Sequence, residues 1–246
     1  MSQKIRQEQI LNILKQQGYV TVRYLTNALD YSTATINRDL NAMQQAGLVK
    51  RSYGGVEAAK QRTFPPLPQR QFYQRQEKRR IAEHAARQIQ NGETVFLDGT
   101  TTVQYMVPFL LQKKDVTVIT NSLRLAIDLG DSSLNVICLG GQIAERPYVL
   151  YSEDTIENAM RYRPDKMFFS TDLITEDGYI HSFNHLLHKI LFQNSREIWF
   201  LTDKTKLTDR FDLVLCDFSV LTGVISDFEF SEKTRLKYPS VTFLTV

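Results

Sequence analysis

Residues 21–55 predict two helices joined by a tight turn, and this stretch limits what the rest of the chain can be. Apolar residues recur on one helical face of each segment: Val22, Leu25 and Leu29, then Ile36, Leu40 and Met43. Ser32, at the end of the turn Asp30-Tyr31-Ser32, is a suitable N-cap for the second helix. The polar side chains of that helix then face outward: Thr33, Thr35, Asn37, Arg38 and Asn41.

These outward side chains fit two interpretations. Short hydrogen-bonding groups and one guanidinium in the first two turns are what a recognition helix needs to reach base edges in a major groove. A small helical domain with a polar, solvated face has the same pattern. The helix pair alone therefore does not decide between them.

The residues at 47–56 favour the DNA-binding interpretation. Gly47 suits a helix C-cap, a basic strand follows it, and the Gly54-Gly55 pair is compatible with a hairpin turn. A two-stranded wing beside the second helix would bring Lys50 and Arg51 near phosphates. We therefore predict a winged helix-turn-helix with these DNA-contacting residues: Ser32, Thr33, Thr35, Asn37, Arg38, Asn41, Lys50, Arg51 and Tyr53.

The composition of the chain is that of an ordinary globular protein with reduced thiols. Of its 246 residues 42% are hydrophobic and 23% charged, and no apolar run approaches the length of a membrane span. The polar N-terminus is unlike a signal peptide. Cys138 and Cys216 each lie in an apolar, strand-like run, which predicts buried free thiols and a cytoplasmic location.

The net charge of +3 is distributed unevenly along the chain. Residues 1–60 carry 8 Lys and Arg against 4 Asp and Glu, a net of +4, and residues 61–90 carry 7 against 2, a net of +5. Residues 91–246 carry 15 against 21, a net of −6. This asymmetry predicts a polyanionic partner for the first part only, although a solvated basic helix gives the same totals.

Prolines mark the boundary between two domains. Three prolines lie within residues 64–68, the clearest linker of the chain. We predict a DNA-binding domain at residues 1–58 that begins with a helix at 1–17, a linker at 59–70, and a second domain at 71–246. A helix predicted at residues 71–90 carries Lys78, Arg79 and Arg80, which either extend the DNA-binding footprint or form ordinary charged surface.

From residue 92 onward, short apolar runs alternate with helical segments. The strand-like runs lie at residues 94–97, 116–119, 135–139, 166–169, 197–201 and 241–244, with further ones at 214–215 and 220–225. Helical segments at residues 103–111, 122–129, 155–161 and 185–194 lie between them. Near-continuous apolar strands separated by helices predict an α/β domain with a parallel sheet covered on both faces. Ligands of such sheets bind at the carboxyl ends of the strands.

Polar residues at these strand ends form the predicted ligand site. They are Asp98, Gly99, Thr100, Thr101, Thr102, Thr120, Asn121, Ser122, Gly140, Gly141, Asp203 and Lys206. A hydroxyl-rich turn before a helix offers backbone N–H groups to an anion such as phosphate, and paired glycines allow a close backbone approach. Each hydroxyl or amide taken alone also fits an ordinary N-cap. Four such turns at successive strand ends favour a pocket for a phosphorylated ligand.

The motifs of both domains resemble those of the DeoR-type bacterial transcriptional regulators. In the first domain the resemblance rests on Ser32-x-x-Thr35-Ile36-x-Arg38-Asp39-Leu40 and Gly47-Leu48-Val49-x-Arg51-x-Tyr53-Gly54-Gly55. In the second it rests on residues 96–102, 118–122, 139–141 and 165–170 and on Asp203-x-x-Lys206. The resemblance implies a winged helix joined to a Rossmann-like sensor domain similar to sugar-phosphate isomerases. It also implies a repressor of a carbohydrate-metabolism operon that binds double-stranded DNA and a phosphorylated sugar, without a cofactor, as a homodimer or homotetramer.

Two positions depart from the family pattern. Members usually carry an arginine before the equivalent of Arg38, where this chain has Asn37, and asparagine would contact adenine where arginine would contact guanine. The segment after Gly178 usually carries an acidic residue and here holds histidines at 181, 185 and 188. No nearby cysteine completes a set of metal ligands, so we predict no metal site.

An enzyme is the alternative to a regulator. Asp98, Asp203 and Lys206 would then be the acid–base groups of an isomerase-like protein acting on a sugar phosphate. A DNA-binding module is unexpected in such an enzyme, and we predict a regulator without catalytic residues. A purely protein-binding or architectural module explains neither the wing nor the uneven charge.

Overall fold

The computed structural model describes residues 3–17, 19–45, 48–52, 55–58, 72–143, 148–181, 185–209 and 214–246. The chain divides into two compact units, residues 1–64 and residues 65–246. The predicted linker, the Gly47 C-cap, the turn at Gly54 and the side chain of Tyr53 lie outside the described residues.

The first unit combines three helices with a small antiparallel sheet in its described residues. Its elements are α1 (Gln3–Gln17), β1 (Tyr19–Thr21), α2 (Val22–Leu29), α3 (Thr33–Gln45), β2 (Val49–Ser52) and β3 (Gly55–Ala58). The strand order is β1-β3-β2, with Val20 and Arg51 on either side of Val56. Strands β2 and β3 are the predicted wing, and β1 is a third strand that the sequence patterns did not predict.

Local side-chain chemistry sets where α2 and α3 begin and end. Thr21 accepts a hydrogen bond from the backbone N–H of Tyr24 and so caps the start of α2. Asp30 ends α2 in the left-handed conformation, with φ of 55°. Ser32 accepts from the backbone N–H of Thr35 at 3.2 Å, so the predicted N-cap of α3 is confirmed.

One apolar core holds the first unit together. The predicted stripes of α2 and α3 meet α1 there, and the central residues of the core are almost inaccessible to solvent: Ile10, Leu14, Leu25, Ile36, Leu40 and Met43. Because α3 buries this side, its opposite face is left for solvent or for a partner.

The second unit is built on a parallel sheet with helices between its strands. Its first half contains α4 (Arg75–Arg87), β4 (Thr94–Leu97), α5 (Thr101–Gln104), α6 (Val107–Leu110), β5 (Thr117–Thr120), α7 (Leu123–Gly130), β6 (Asn135–Cys138) and α8 (Glu153–Met160). Its second half contains β7 (Lys166–Phe169), β8 (Leu173–Ile174), β9 (Tyr179–His181), α9 (His185–Asn194), β10 (Glu197–Thr202), β11 (Cys216–Asp217), β12 (Gly223–Ser226), α10 (Glu232–Lys237) and β13 (Thr242–Thr245). Short 3₁₀ helices follow β10 and β11 at Lys204–Lys206 and Phe218–Val220.

The parallel sheet has the strand order β13-β12-β10-β7-β4-β5-β6. Strands β5 and β6 follow on one side of β4, and β7, β10, β12 and β13 follow on its other side. The direction in which strands are added to the sheet therefore changes at the boundary between β4 and β7. In doubly wound sheets this reversal leaves a crevice at the carboxyl ends of the two central strands. The predicted α/β class is therefore confirmed, and the switch point lies directly before Asp98 and Ser170.

Side chains of the sheet alternate between two apolar layers, as strand geometry requires. In β4, Val95 and Leu97 pack with α4 and α7, whereas Phe96 packs with α8 and α9 on the other face. The sheet is therefore covered on both faces, as the continuous apolar runs predict.

Three predictions about local structure were wrong. The helix predicted at residues 103–111 is two short helices, because Pro108 lacks an N–H and its ring conflicts with the carbonyl of Gln104, where α5 ends. Cys138 is exposed, since β6 is the edge strand of the sheet, and Cys216 is only half-buried. The strand predicted at residues 214–215 lies two residues later, at β11, which forms an antiparallel sheet with β8 and β9 that was not predicted. None of the described helices is long and apolar enough to cross a bilayer.

Candidate functional site

The outward face of α3 carries the polar residues that the sequence predicts there. Thr33, Arg38 and Asn41 are exposed, and Thr35 and Asn37 are half-buried. Ser32 is exposed as well, although its hydroxyl already caps the helix. The face is thus rich in hydrogen-bonding groups over its first two turns, which is the geometry of a helix that reads base edges.

A carboxylate behind this face ties α3 to the first helix. Asp39 is buried and accepts a hydrogen bond from Nε of Arg6, whose guanidinium lies 4.9 Å from the ring centre of Tyr31. This bond to the carboxylate raises the pKa of Arg6. The ion pair joins α3 to α1 on the side opposite the exposed polar residues.

The two basic residues of the wing lie in different surroundings. Lys50 is exposed, and its strand partner across the hairpin is Glu57. Arg51 is half-buried and reaches α3, where its two terminal nitrogen atoms donate to Oδ1 of Asn41 at 2.6 Å and to Oδ1 of Asn37 at 2.5 Å. Arg51 therefore connects the predicted wing to the outward face of α3.

In the second unit, Asp98 is the buried centre of a polar cluster at the switch point. Its Oδ1 accepts from the backbone N–H of Thr100 at 3.0 Å and from the hydroxyl of Thr100 at 2.5 Å. Its Oδ2 accepts from the backbone N–H of Ser170 at 2.9 Å. Burial raises the pKa of Asp98 to about 6, although the hydrogen bonds from Thr100 and Ser170 act in the opposite direction.

Lys206 joins the strand ends of β4, β7 and β10. Its Nζ donates to Oγ of Ser170 at 2.5 Å and to Oγ1 of Thr102 at 3.1 Å, and it lies 3.8 Å from Oδ2 of Asp203. The side chain is only 14% exposed, and burial lowers the pKa of Lys206 against the attraction of Asp203. Asp203 itself caps the following turn by accepting from the backbone N–H of Thr205.

Three residues of this cluster are absent from the predicted site. Ser170 follows β7 at the switch point, a position that the strand order reveals and the sequence pattern does not. Nε2 of His188 lies 3.9 Å from Oδ2 of Asp98, so the histidine-rich departure from the family pattern reaches the cluster. Lys78 on α4 is only 4% exposed and donates to Oγ1 of Thr101 at 3.3 Å, so both expectations for Lys78, DNA contact and charged surface, were wrong.

A helical spacing rule would have found Lys78. It lies three, four and seven residues before Ile81, Ala82 and Ala85, which puts it on the inner face of α4. Arg79 and Arg80 lie off that stripe and are exposed.

Other predicted ligand residues have structural partners of their own. The hydroxyl of Thr120 donates to the carbonyl of Leu97, and Ser122 caps α7 by accepting from Leu125. Gly140 and Gly141 pack against the start of α8, where Oγ1 of Thr155 donates to the carbonyl of Gly140 at 2.8 Å. Since β6 lies two strands from β4, this glycine pair is roughly 10 Å from the centre of the cluster.

Asn121 has a structural hydrogen bond through its amide nitrogen and an amide oxygen without a partner among the described residues. It is 1% exposed, and its amide nitrogen donates to the carbonyl of Leu150 at 3.1 Å. Its Oδ1 atom has no hydrogen-bond partner among the described residues. Buried amide oxygens are rarely left in that state, so this oxygen is an exception among the predicted ligand residues.

The chemistry of the cluster suits an anion with several oxygen atoms. Two buried ammonium groups, on Lys78 and Lys206, lie against the hydroxyls of Thr101, Thr102 and Ser170. Within the described ranges, no group of three His, Cys, Asp or Glu side chains is arranged to hold a metal ion. A separate depression of about 210 Å³ in this unit is lined by Phe72, Arg75, Gln104, Tyr105, Arg124 and Asp128, none of which is a predicted ligand residue.

A winged helix and a Rossmann-like α/β unit in one chain define a class of DNA-binding regulators with a ligand-sensing domain. Residues 6–62 match the model of the DeoR-like helix-turn-helix domain, and residues 73–228 match that of the DeoR C terminal sensor domain, so this chain belongs to the DeoR family of transcriptional regulators. The resemblance identified from the sequence motifs is confirmed.

Named relatives cover nearly the whole chain. The glycerol-3-phosphate regulon repressor of Escherichia coli strain K12 is 29% identical over 233 residues, which are 92% of each protein. The lactose phosphotransferase system repressor of Lactococcus lactis subsp. lactis is 30% identical over 220 residues, which are 86% of each. Ribose 5-phosphate isomerase A of Methanocaldococcus jannaschii aligns in part, with 17% identity, 56% of each chain covered and a TM-score of 0.43.

Proposed function

We propose that this regulator represses a carbohydrate-metabolism operon and is controlled by a phosphorylated sugar or a related metabolite. It acts in the cytoplasm as a homodimer or homotetramer assembled largely through residues 71–246. Two winged helices are thereby held at a fixed separation on a double-stranded operator. The names of the relatives, a glycerol-3-phosphate regulon repressor and a lactose phosphotransferase system repressor, support this class of operon and effector.

The observation that carries the effector proposal is the buried ammonium group of Lys206. It lies at the switch point, bonded to Ser170 and Thr102 from two different strand ends. Desolvating an ammonium group is costly, and a ligand phosphate would offset part of that cost with charge-assisted hydrogen bonds. The turn at residues 98–102 and the carboxyl end of β10 would then hold the ligand from two sides.

The DNA-binding proposal rests on the outward face of α3. Thr33, Thr35 and Arg38 contact base edges, while Lys50 neutralises a backbone phosphate. In such domains the helix selects the sequence through base contacts, and the basic strand positions the protein through phosphate contacts.

The link between the two functions is Lys78. This residue lies on α4, the first described helix after the linker, and its ammonium group reaches Thr101 in the ligand turn. A ligand that prefers one placement of Lys78 would therefore shift the position of α4 and, through it, the spacing of the winged helices. Such coupling requires that the ligand bind the two arrangements with different affinity.

An isomerase-like activity is the second candidate, because the pKa of Asp98, raised to about 6, suits an acid–base group. Both Asp98 oxygens already accept hydrogen bonds from Thr100 and Ser170, which favours a structural role. Incubating the pure protein with each sugar phosphate and analysing the products distinguishes the two: isomerised product establishes an enzyme, and recovery of unchanged substrate supports a regulator.

The proposed function is tested by selecting bound sequences from random double-stranded DNA at two salt concentrations, with and without a panel of sugar phosphates. A selected motif whose occupancy changes with one phosphate is the expected result. A motif that ignores every phosphate would contradict the effector pocket and keep the regulator. Binding that is sensitive to salt but selects no motif would contradict sequence-specific recognition by α3.

A further inference from the structure

The side chain of Arg51 lies on the recognition helix. It starts from β2 and places one terminal nitrogen against Oδ1 of Asn37 and the other against Oδ1 of Asn41. Asn37 and Asn41 are separated by one helical turn, so both amides lie on the same side of α3. One guanidinium thus spans two successive turns of the helix, and the three side chains form what we call the amide–guanidinium cluster.

The chemistry of the cluster fixes the orientation of both amides. A guanidinium has five N–H donors and no acceptor, so it pairs only with the oxygen of each asparagine side chain. The NH₂ groups of Asn37 and Asn41 must therefore point away from Arg51. Among the described residues, two of the five N–H groups of Arg51 are used in these bonds, and the other three remain as donors for another partner.

The cluster therefore presents donors to its surroundings, and this decides which base edge it matches. In the major groove guanine offers two acceptors, N7 and O6, whereas adenine offers the N7 acceptor next to an N6 amino donor. An asparagine that reads adenine needs its oxygen for that amino group. In Asn37 and Asn41 this oxygen already accepts a hydrogen bond from the charged guanidinium of Arg51. Charge-assisted hydrogen bonds are about twice as strong as neutral ones, so the amino group of adenine would not displace it.

We propose that the amide–guanidinium cluster is a single recognition unit that selects guanine at one position of the operator. Arg51 reads the base, and Asn37 and Asn41 are positioning residues that hold its guanidinium in place. The inference deepens the proposed DNA-binding function and rests on it, because it requires α3 to enter the major groove. It replaces two simpler expectations, that Arg51 contacts a phosphate and that Asn37 contacts adenine.

A positioned arginine has an advantage over a free one. A long side chain loses rotamer freedom on binding, and that loss subtracts from the free energy of each new hydrogen bond. Arg51 has already lost this freedom in the unbound protein, because both terminal nitrogens are engaged with α3. The two asparagines therefore improve guanine selection without touching the base themselves.

The test uses the full chain and the operator selected by the wild type, with every base pair substituted in turn and affinities measured by fluorescence anisotropy. We expect the wild type to require guanine at one position that R51A no longer discriminates. The loss of preference should be about 5- to 150-fold, the range for one bidentate contact, while preferences elsewhere remain. N37A and N41A should weaken the same preference and have no further effect there when combined with R51A.

Two further variants separate base reading from phosphate contact and from misfolding. R51K keeps the positive charge but lacks the planar guanidinium fork that reaches both amides, so it should weaken the guanine preference and keep the salt dependence of wild-type binding. K50A should weaken binding to all sequences alike and reduce the salt slope by about 1.

The alternative outcomes are distinct. If R51A weakens all sequences equally and keeps the guanine preference, Arg51 is a phosphate contact and the inference is wrong. Adenine at the position that responds to N37A would overturn it as well. If the wild type selects no motif at all, the proposed DNA-binding function fails before this question arises.

Discussion

At the scale of single residues, the charges buried at the switch point are the least expected feature of the second unit. Burial raises the pKa of Asp98 and lowers that of Lys206, so folding disfavours the charged form of both. Replacing both partners of a buried ion pair with well-packed apolar residues often leaves a protein as stable as before. Their presence therefore points to a role that stability alone does not explain.

Replacing Lys206 with methionine tests that role. We expect the response to a phosphorylated effector to be lost while operator affinity without effector stays unchanged, because Lys206 and the winged helix belong to different units. Stability should fall by up to about 3–5 kcal/mol, because the buried carboxylate of Asp203 loses the ammonium group that lies 3.8 Å from it. Operator titrations with and without effector measure the effector response, and urea unfolding measures the stability.

Lys233→Met, at an exposed site on α10, is the matched control for Lys206→Met. An intact effector response in Lys206→Met would remove Lys206 from the pocket.

Asp98 should give the stability of the chain a recognisable pH dependence. Its pKa rises on folding from 3.8 to about 6. The protonated form is therefore favoured in the folded state, and the stabilisation is complete below about 3.8 and lost as the pH rises through 6. The shift of about two units corresponds to at most roughly 3 kcal/mol. The free energy of unfolding of the wild type and of Asp98→Asn is measured between pH 4.5 and 7.5. As the pH rises, the variant should become more stable relative to the wild type. A difference that does not change with pH would contradict the raised pKa of Asp98.

At the scale of secondary-structure elements, the sequence predicts what depends on local periodicity. The parallel strands and the capped helix α3 follow from apolar runs and from Ser32. The exposure of Cys138 does not, because it depends on which strand lies at the edge of the sheet. The same holds for Ser170, which meets Asp98 only after the strands are ordered, and for Arg51, whose asparagine partners come from another element.

The glycine pair after β6 separates a structural role from a ligand-binding role. Gly141 has a φ of 108°, and a Cβ atom there would lie 2.2 Å from Oγ1 of Thr155 in the cap of α8. Gly141→Ala should therefore destabilise the protein by roughly 1–3 kcal/mol, through backbone strain and displacement of that cap. Thermal unfolding measures the effect, and Gly130→Ala, where a Cβ meets no atom within 4 Å, should be close to neutral. Unchanged stability in Gly141→Ala together with a weakened effector response would instead favour direct contact with the ligand.

At the scale of the whole molecule, the charge distribution separates the two partners. The first 60 residues carry a net charge of +4 and residues 91–246 a net of −6. Part of the positive charge between them is internal, because Lys78 is buried against Thr101 while Arg79 and Arg80 are exposed. The net negative charge of residues 91–246 repels DNA, so the winged helix should be the part of each chain that approaches the operator.

An assembly through the second unit should make operator binding depend on helical phase. If two winged helices are held at a fixed separation, their half-sites must lie on the same side of the duplex. Inserting about five base pairs between the half-sites turns one of them by half a helical turn and should reduce affinity to that of a single half-site. Inserting about ten base pairs restores the phase and should recover affinity in part. Gel-shift titrations of the three operators measure this, and equal affinity for all of them would mean that each winged helix binds independently of the assembly.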